Sequence, residues 1–231
     1  MPALEREESG DAGFAGAGAD MSCTFDLEHY RELLGAARDG GYRFAVFDRS
    51  PEAGTILLRH DVDLSLDAAL ALAELEAGAG AAATYFLMTR CEFYNLASPS
   101  GEAAIQRLRE FGHRVGLHAV WPLVDRDDRF DPVLAWHNPD PEYMRAPVDG
   151  LVNVMTEPWA DVYRSDSNQH WRQGCPHGEL AAGAFERLQL LTHPEIWVYP
   201  GETMRETMLA MLEAERGRRL EQLAADRIDI S

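Results

Sequence analysis

The chain has 231 residues, with 39 acidic against 21 basic side chains and a formal charge of −18 at pH 7, which is long enough for one large α/β domain with a buried core. A negative field of this size repels nucleic acid and anionic membrane surfaces, so neither is an expected partner. Cys23, Cys91 and Cys175 show no CxxC spacing and point to neither a disulfide framework nor a thiolate zinc site.

Residues 1–22 are acidic, Gly/Ala-rich and without apolar period, and read as a disordered leader to a single domain over 23–231. With no basic n-region before an apolar h-region, and no apolar run of membrane-spanning length, the expected location is the cytoplasm. Asp26 is placed to cap a helix over Leu27 to Ala37, which Gly40-Gly41 closes. A short strand is expected over Tyr42 to Phe47.

The stretch Ile56-Leu57-Leu58-Arg59-His60-Asp61-Val62-Asp63 is an apolar run that ends in polar groups, followed by helical spacing from Leu66 to Glu76. This is the βα unit of an α/β protein, whose sites lie beyond the carboxyl ends of parallel strands. Period-2 geometry puts Asp61 and Asp63 on one face and His60 on the other. Helix capping by Asp63 or Ser65 is the plain alternative for these residues. Arg59 is placed to pair with one of the carboxylates.

Gly78 to Gly80 end the helix, and Ala82 to Met88 read as the next buried strand. Ser98 and Ser100 open a helix whose apolar positions are Ala104, Ile105, Leu108 and Phe111; Gly112 stops it, and His113 to Val120 resume a strand with His118 near its end. Leu190-Leu191-Thr192-His193-Pro194-Glu195 is a later strand, also ending in a histidine. Between them, Tyr163 to Arg172 concentrate hydrogen-bonding groups, with Asp166 as either a partner for His193 or part of a surface turn. The last segment keeps helical period from Met204 toward Ala225, and its Met and Leu stripe is core packing.

Three of these stretches together resemble the polysaccharide deacetylases, the NodB-homology superfamily. Arg59-His60-Asp61-Val62-Asp63 is similar to the family's paired-Asp motif, Gly112-His113-Arg114-Val115-Gly116-Leu117-His118 to its Gly-x-x-x-Gly-x-His strand, and Leu190 to Glu195 to the strand that presents its catalytic His. The resemblance covers about residues 59–200 and implies an α/β fold, a distorted (β/α) barrel, with hydrolysis of amides or esters by a bound divalent metal. The chain departs from the pattern in two places: Val62 separates carboxylates that are normally adjacent, and the position of the family's second metal His is Pro122. His137 stands where the family carries an Arg that braces the catalytic Asp, and is either the missing ligand or the brace.

The resemblance and the residue chemistry jointly imply Asp61 as general base, Asp63, His118 and His137 as metal ligands, and His193 as the acid that protonates the leaving group, with Asp166 fixing its tautomer. Zinc is the first expected ion, with manganese, cobalt and ferrous iron as alternatives. An inverted division, with Asp61 on the metal and Asp63 as helix cap, fits the sequence nearly as well. The expected substrate is a small acylated metabolite or soluble sugar, for which Trp121, Trp136, Trp159 and Trp171 are either stacking faces or core. A barrel without hydrolysis, serving as a scaffold, and a non-haem metal enzyme are the rival readings.

Overall fold

The computed structural model describes residues 23–228 apart from 157, 158 and 160; the expected leader lies outside the described residues. In chain order the elements are α1 (Leu27–Asp39), β1 (Arg43–Ala45), β2 (Thr55–Val62), α2 (Leu66–Gly78), β3 (Thr84–Met88), α3 (Pro99–Glu110), β4 (Arg114–Ala119), β5 (Val133–Trp136), β6 (Val152–Asn153), β7 (Val162–Ser165), α4 (His177–Ala181), β8 (Arg187–Thr192), α5 (Pro194–Val198) and α6 (Met204–Ala225). No described helix is long and apolar enough to cross a membrane.

All strand pairings are parallel, in the order β6-β5-β4-β3-β2-β8-β7, and the sheet curls into a half-barrel. β1 pairs with the first half of β2, at Thr55 to Leu57, and β3 with the second half, at Arg59 to Val62. Every residue of β2 is buried, as expected of a strand covered on both faces.

Alternation along β2 assigns the two faces. Ile56, Leu58 and Val62 pack with Tyr30, Leu33 and Leu34 of α1 and Leu72 of α2 in the main core. Leu57 faces the inside of the curl with Phe86, Val133 and Val154. His60 therefore sits under the helices, while Arg59 and Asp61 share the inner face with Leu57.

The capping expectations can be compared directly with the structure. Asp26 accepts from the His29 amide at the start of α1, and Ser98 caps α3 through the Gly101 amide. At the start of α2 the cap is Ser65, which accepts from the Ala68 amide at 3.1 Å, so Asp63 is free of that task. Gly112, at φ 90°, turns the chain from α3 into β4, a conformation that glycine adopts without steric cost. Gly116 in β4 is a close-approach position: a Cβ there would meet Phe86 and Val133 at 2.7 Å. Short elements not read from the sequence are α4, α5, β6 and β7, the last of these running into the start of the polar Tyr163 to Arg172 stretch.

Candidate metal centre

The parallel register delivers the polar residues to one rim. Asp61 is the second-last residue of β2 and Asp63 lies just beyond its end, His118 is near the end of β4, and His137 follows β5 directly. Asp166 follows β7, and His193 follows β8 as the residue before α5. In the ladder His118 pairs with Met88 and Ala135, and the His137 amide donates to the Ala119 carbonyl at 2.8 Å, so both rings are held by sheet rather than by loop.

Asp63 Oδ1 lies 3.1 Å from His118 Nε2 and 3.0 Å from His137 Nδ1, and the two ring nitrogens are 3.2 Å apart. The imidazole planes stand at 88° to one another. Donor atoms bound about 2.0–2.2 Å from a tetrahedral ion are separated by roughly 3.3–3.6 Å, a few tenths of an ångström more than the edges of this triangle. Asp63 Oδ1 is buried and makes no hydrogen bond of acceptable angle, an unusual state for a carboxylate oxygen and one that a cation resolves. His118 Nδ1 donates to the Ala135 carbonyl at 2.9 Å, which leaves the Nε2 lone pair facing Asp63. His137 Nε2 lies 3.3 Å from the Asn138 amide; with the amide oxygen turned to accept from Nε2–H, the Nδ1 lone pair also faces Asp63. The donor set fits a divalent ion.

Burial alone would raise the Asp63 pKa; with the ring N–H groups of His118 and His137 turned to the carboxylate in place of a cation, the two rings hold the carboxyl well below its usual range. Asp61 is buried and gripped by Arg59, whose Nε donates to Oδ1 at 2.8 Å and Nη2 to Oδ2 at 2.6 Å. Burial opposes ionisation there too, and the Arg59 guanidinium, with His118 and His193, outweighs it and keeps the pKa low. Asp61 Oδ2 lies 3.7 Å from His118 Nε2, at the border of the triangle. The brace on Asp61 is Arg59 from its own strand; His137 points to Asp63 instead, and the inverted division loses its cap because Ser65 occupies that place.

His193 is 2.7 Å from Asp166 through Nδ1, and its Nε2 points toward the triangle, 3.9 Å from Asp63 Oδ2. Asp166 is fully buried and also accepts from the His193 amide at 3.0 Å and from Trp197 Nε1 at 2.7 Å, so it is no surface turn. Burial depresses the His193 pKa, but Asp166, joined by Asp61 and Asp63, pushes it up to about 10. Two residues on, Glu195 is buried with Oε2 unpartnered, and burial pushes its pKa up to about 8.

His60 lies on the helix side, 2.7 Å from Thr192 Oγ1 and 2.7 Å from Glu76 of α2. Glu76 is fully buried and also accepts from the Tyr30 and Tyr85 hydroxyls at 2.6 and 2.7 Å. Sequence reasoning passed over Glu76, which looks like any charged helix residue. It also left the partner of Arg59 open, although the period-2 rule that joins Asp61 to Asp63 places Arg59 on the same face. Of the four tryptophans noted, Trp136, Trp159 and Trp171 are core, while Trp121 is half-exposed and stacks on Tyr143 at 4.9 Å.

Beside Arg59 the inner face opens into a cavity of about 290 Å³, lined also by Arg145, Met155, Thr156, Tyr163 and Gln189. No family model matches the chain, and no curated protein does. Among solved structures it is similar to a peptidoglycan deacetylase of Bdellovibrio bacteriovorus, with 13% identity and a TM-score of 0.37, over 78% of this chain and 54% of that one. The chain thus spans about half the length of the protein it matches, and a likeness this distant leaves function to the residues of the site.

Proposed function

We propose that the chain is a metal-dependent hydrolase that removes an acyl group, acetyl in first place, from an amide or ester of a sugar or small metabolite, on a distorted barrel of the deacetylase type. The observation that supports this reading is the Asp63, His118 and His137 triangle, bordered by a carboxylate held by arginine and an imidazole held by aspartate. Those three residues would hold a divalent ion, zinc in first place and manganese, cobalt or ferrous iron as alternatives, which when bound would supply a water of lowered pKa, toward about 7, and polarisation of the acyl oxygen.

The remaining residues supply proton handling and position. Asp61, kept ionised by Arg59, is the base that accepts a proton from the attacking water. The Arg59 fork fixes the carboxylate plane, and the depressed pKa trades basicity for a charge always present at neutral pH. His193, protonated at neutral pH through its Asp166 pair, is the acid that donates to the departing amine or alkoxide, and Asp166 commits the proton on Nδ1 to itself, leaving Nε2–H for the reaction.

The test is metal content and acetate release in the parent chain, His118→Ala and His137→Ala. Each substitution is expected to remove one equivalent of metal and to abolish acetate release from a panel of N- and O-acetylated sugars and small amides. Unchanged metal content in both variants would sink the triangle as a metal site and favour a scaffold role. Two histidines and one carboxylate with open positions also suit ferrous iron in oxygen chemistry; iron as the retained ion, with turnover that requires oxygen, would favour that second reading.

A further inference from the structure

A second group of donors lies at the start of α1, away from the rim. The fold brings Cys23, which precedes α1, and Cys175, which precedes α4, to the His29 ring in the first turn of α1. The two sulfurs and a ring nitrogen all lie within 4.8 Å of one another. His29 Nε2 is 3.2 Å from Cys175 Sγ, and its Nδ1 is 2.9 Å from Glu32 Oε2. Trp171 Nε1 donates to Cys23 Sγ at 3.2 Å, and the His177 ring stacks on His29 with centroids 5.9 Å apart. His29 is buried and both cysteines are half-buried.

We propose that Cys23, His29 and Cys175 bind a zinc ion that clamps the start of α1 to the loop before α4, with a water completing the tetrahedron. Two sulfurs with one imidazole are a soft donor set that favours zinc over harder ions. Glu32 completes the clamp in the manner of many zinc histidines, accepting from the far ring nitrogen so that the near one presents its lone pair. A Cys23–Cys175 disulfide would give the His29 and Glu32 pair no role. The site shares no ligand with the rim triangle and stands or falls independently of the hydrolase reading.

The experiment uses the full chain, reduced, stripped with chelator and titrated with Co2+ as a spectroscopic probe. The parent is expected to develop a near-ultraviolet sulfur-to-cobalt charge-transfer band that Zn2+ then erases. Cys23→Ser and Cys175→Ser should lose that band and one equivalent of metal, while His118→Ala keeps the band. Chelator should lower the melting temperature of His118→Ala, in which only the cysteine site remains, and leave the double variant His118→Ala with Cys175→Ser unmoved. The proposal is overturned if the reduced parent shows no such band, if the band persists in both cysteine variants, or if Cys23 and Cys175 are recovered only as a disulfide whose reduction restores no cobalt binding.

Discussion

Glu195 must take up a proton to be buried. Its folded pKa of about 8 stands above the ordinary 4.5 because burial penalises the charge, a penalty that His193 eases and Asp63 and Asp166 deepen. A folded pKa raised above the unfolded value means stability that is fully present below the unfolded pKa and lost as pH rises through the folded one. Glu195→Gln should therefore gain about 2–4 kcal/mol over the parent at pH 8 and nothing at pH 4, by urea unfolding at both pH values. Equal midpoint differences at the two pH values would show that Glu195 is not the group responsible. At this scale the sequence was most legible where ionisable residues recur at the ends of apolar strands, as with Asp61, His118 and His193. It was silent on Glu195, whose neighbours come from distant strands, and on the Cys23, His29 and Cys175 group, because its contacts span up to 148 residues without local spacing.

The helices over β2 are pinned by polar groups as well as apolar ones. Glu76 of α2 receives hydrogen bonds from Tyr30 of α1 and Tyr85 of β3 and stands 2.7 Å from His60 of β2. One carboxylate therefore ties four elements together in the driest part of the core. Removing Glu76 leaves the two buried tyrosine hydroxyls and the His60 ring without their carboxylate, so Glu76→Ala should cost about 3–5 kcal/mol. Glu76→Gln should cost less, since the amide oxygen still accepts from one hydroxyl. Guanidinium unfolding of both variants checks this, and an alanine variant no weaker than the glutamine one would refute the network's role. Elements with a run of their own, such as β2, α2 and β4, were readable because period and caps agree locally; α6 forms as a helix behind its Thr203 cap, but Leu209, Leu212 and Leu220 are exposed and only Thr207 and Met211 are buried, so its Met and Leu stripe is not the core packing expected of it. β6 has two residues, β7 four and α4 five; pieces that short have no period to read and owe their form to the neighbours they pack against.

For the whole molecule, alternation of apolar runs with helical spacing announced the parallel sheet, and the parallel sheet placed the polar strand ends on one rim. What alternation does not carry is strand order. β8 is late in the chain yet lies beside β2, next to the first long strand, with Thr192 against His60 across 132 residues of sequence. On a ribosome moving at about 5–20 residues per second, the wait between those two partners is roughly 7–26 s. Throughout that interval one edge of a strand that is wholly buried in the finished fold has no neighbour, and such edges recruit other chains. A chain ended at residue 186, just before β8, should therefore sediment as aggregate where the full chain stays soluble, as centrifugation of the two translation products would show; equal solubility would refute this. The neighbour that completes β2 also brings His193 to the rim, so closing that edge and completing the rim are one event.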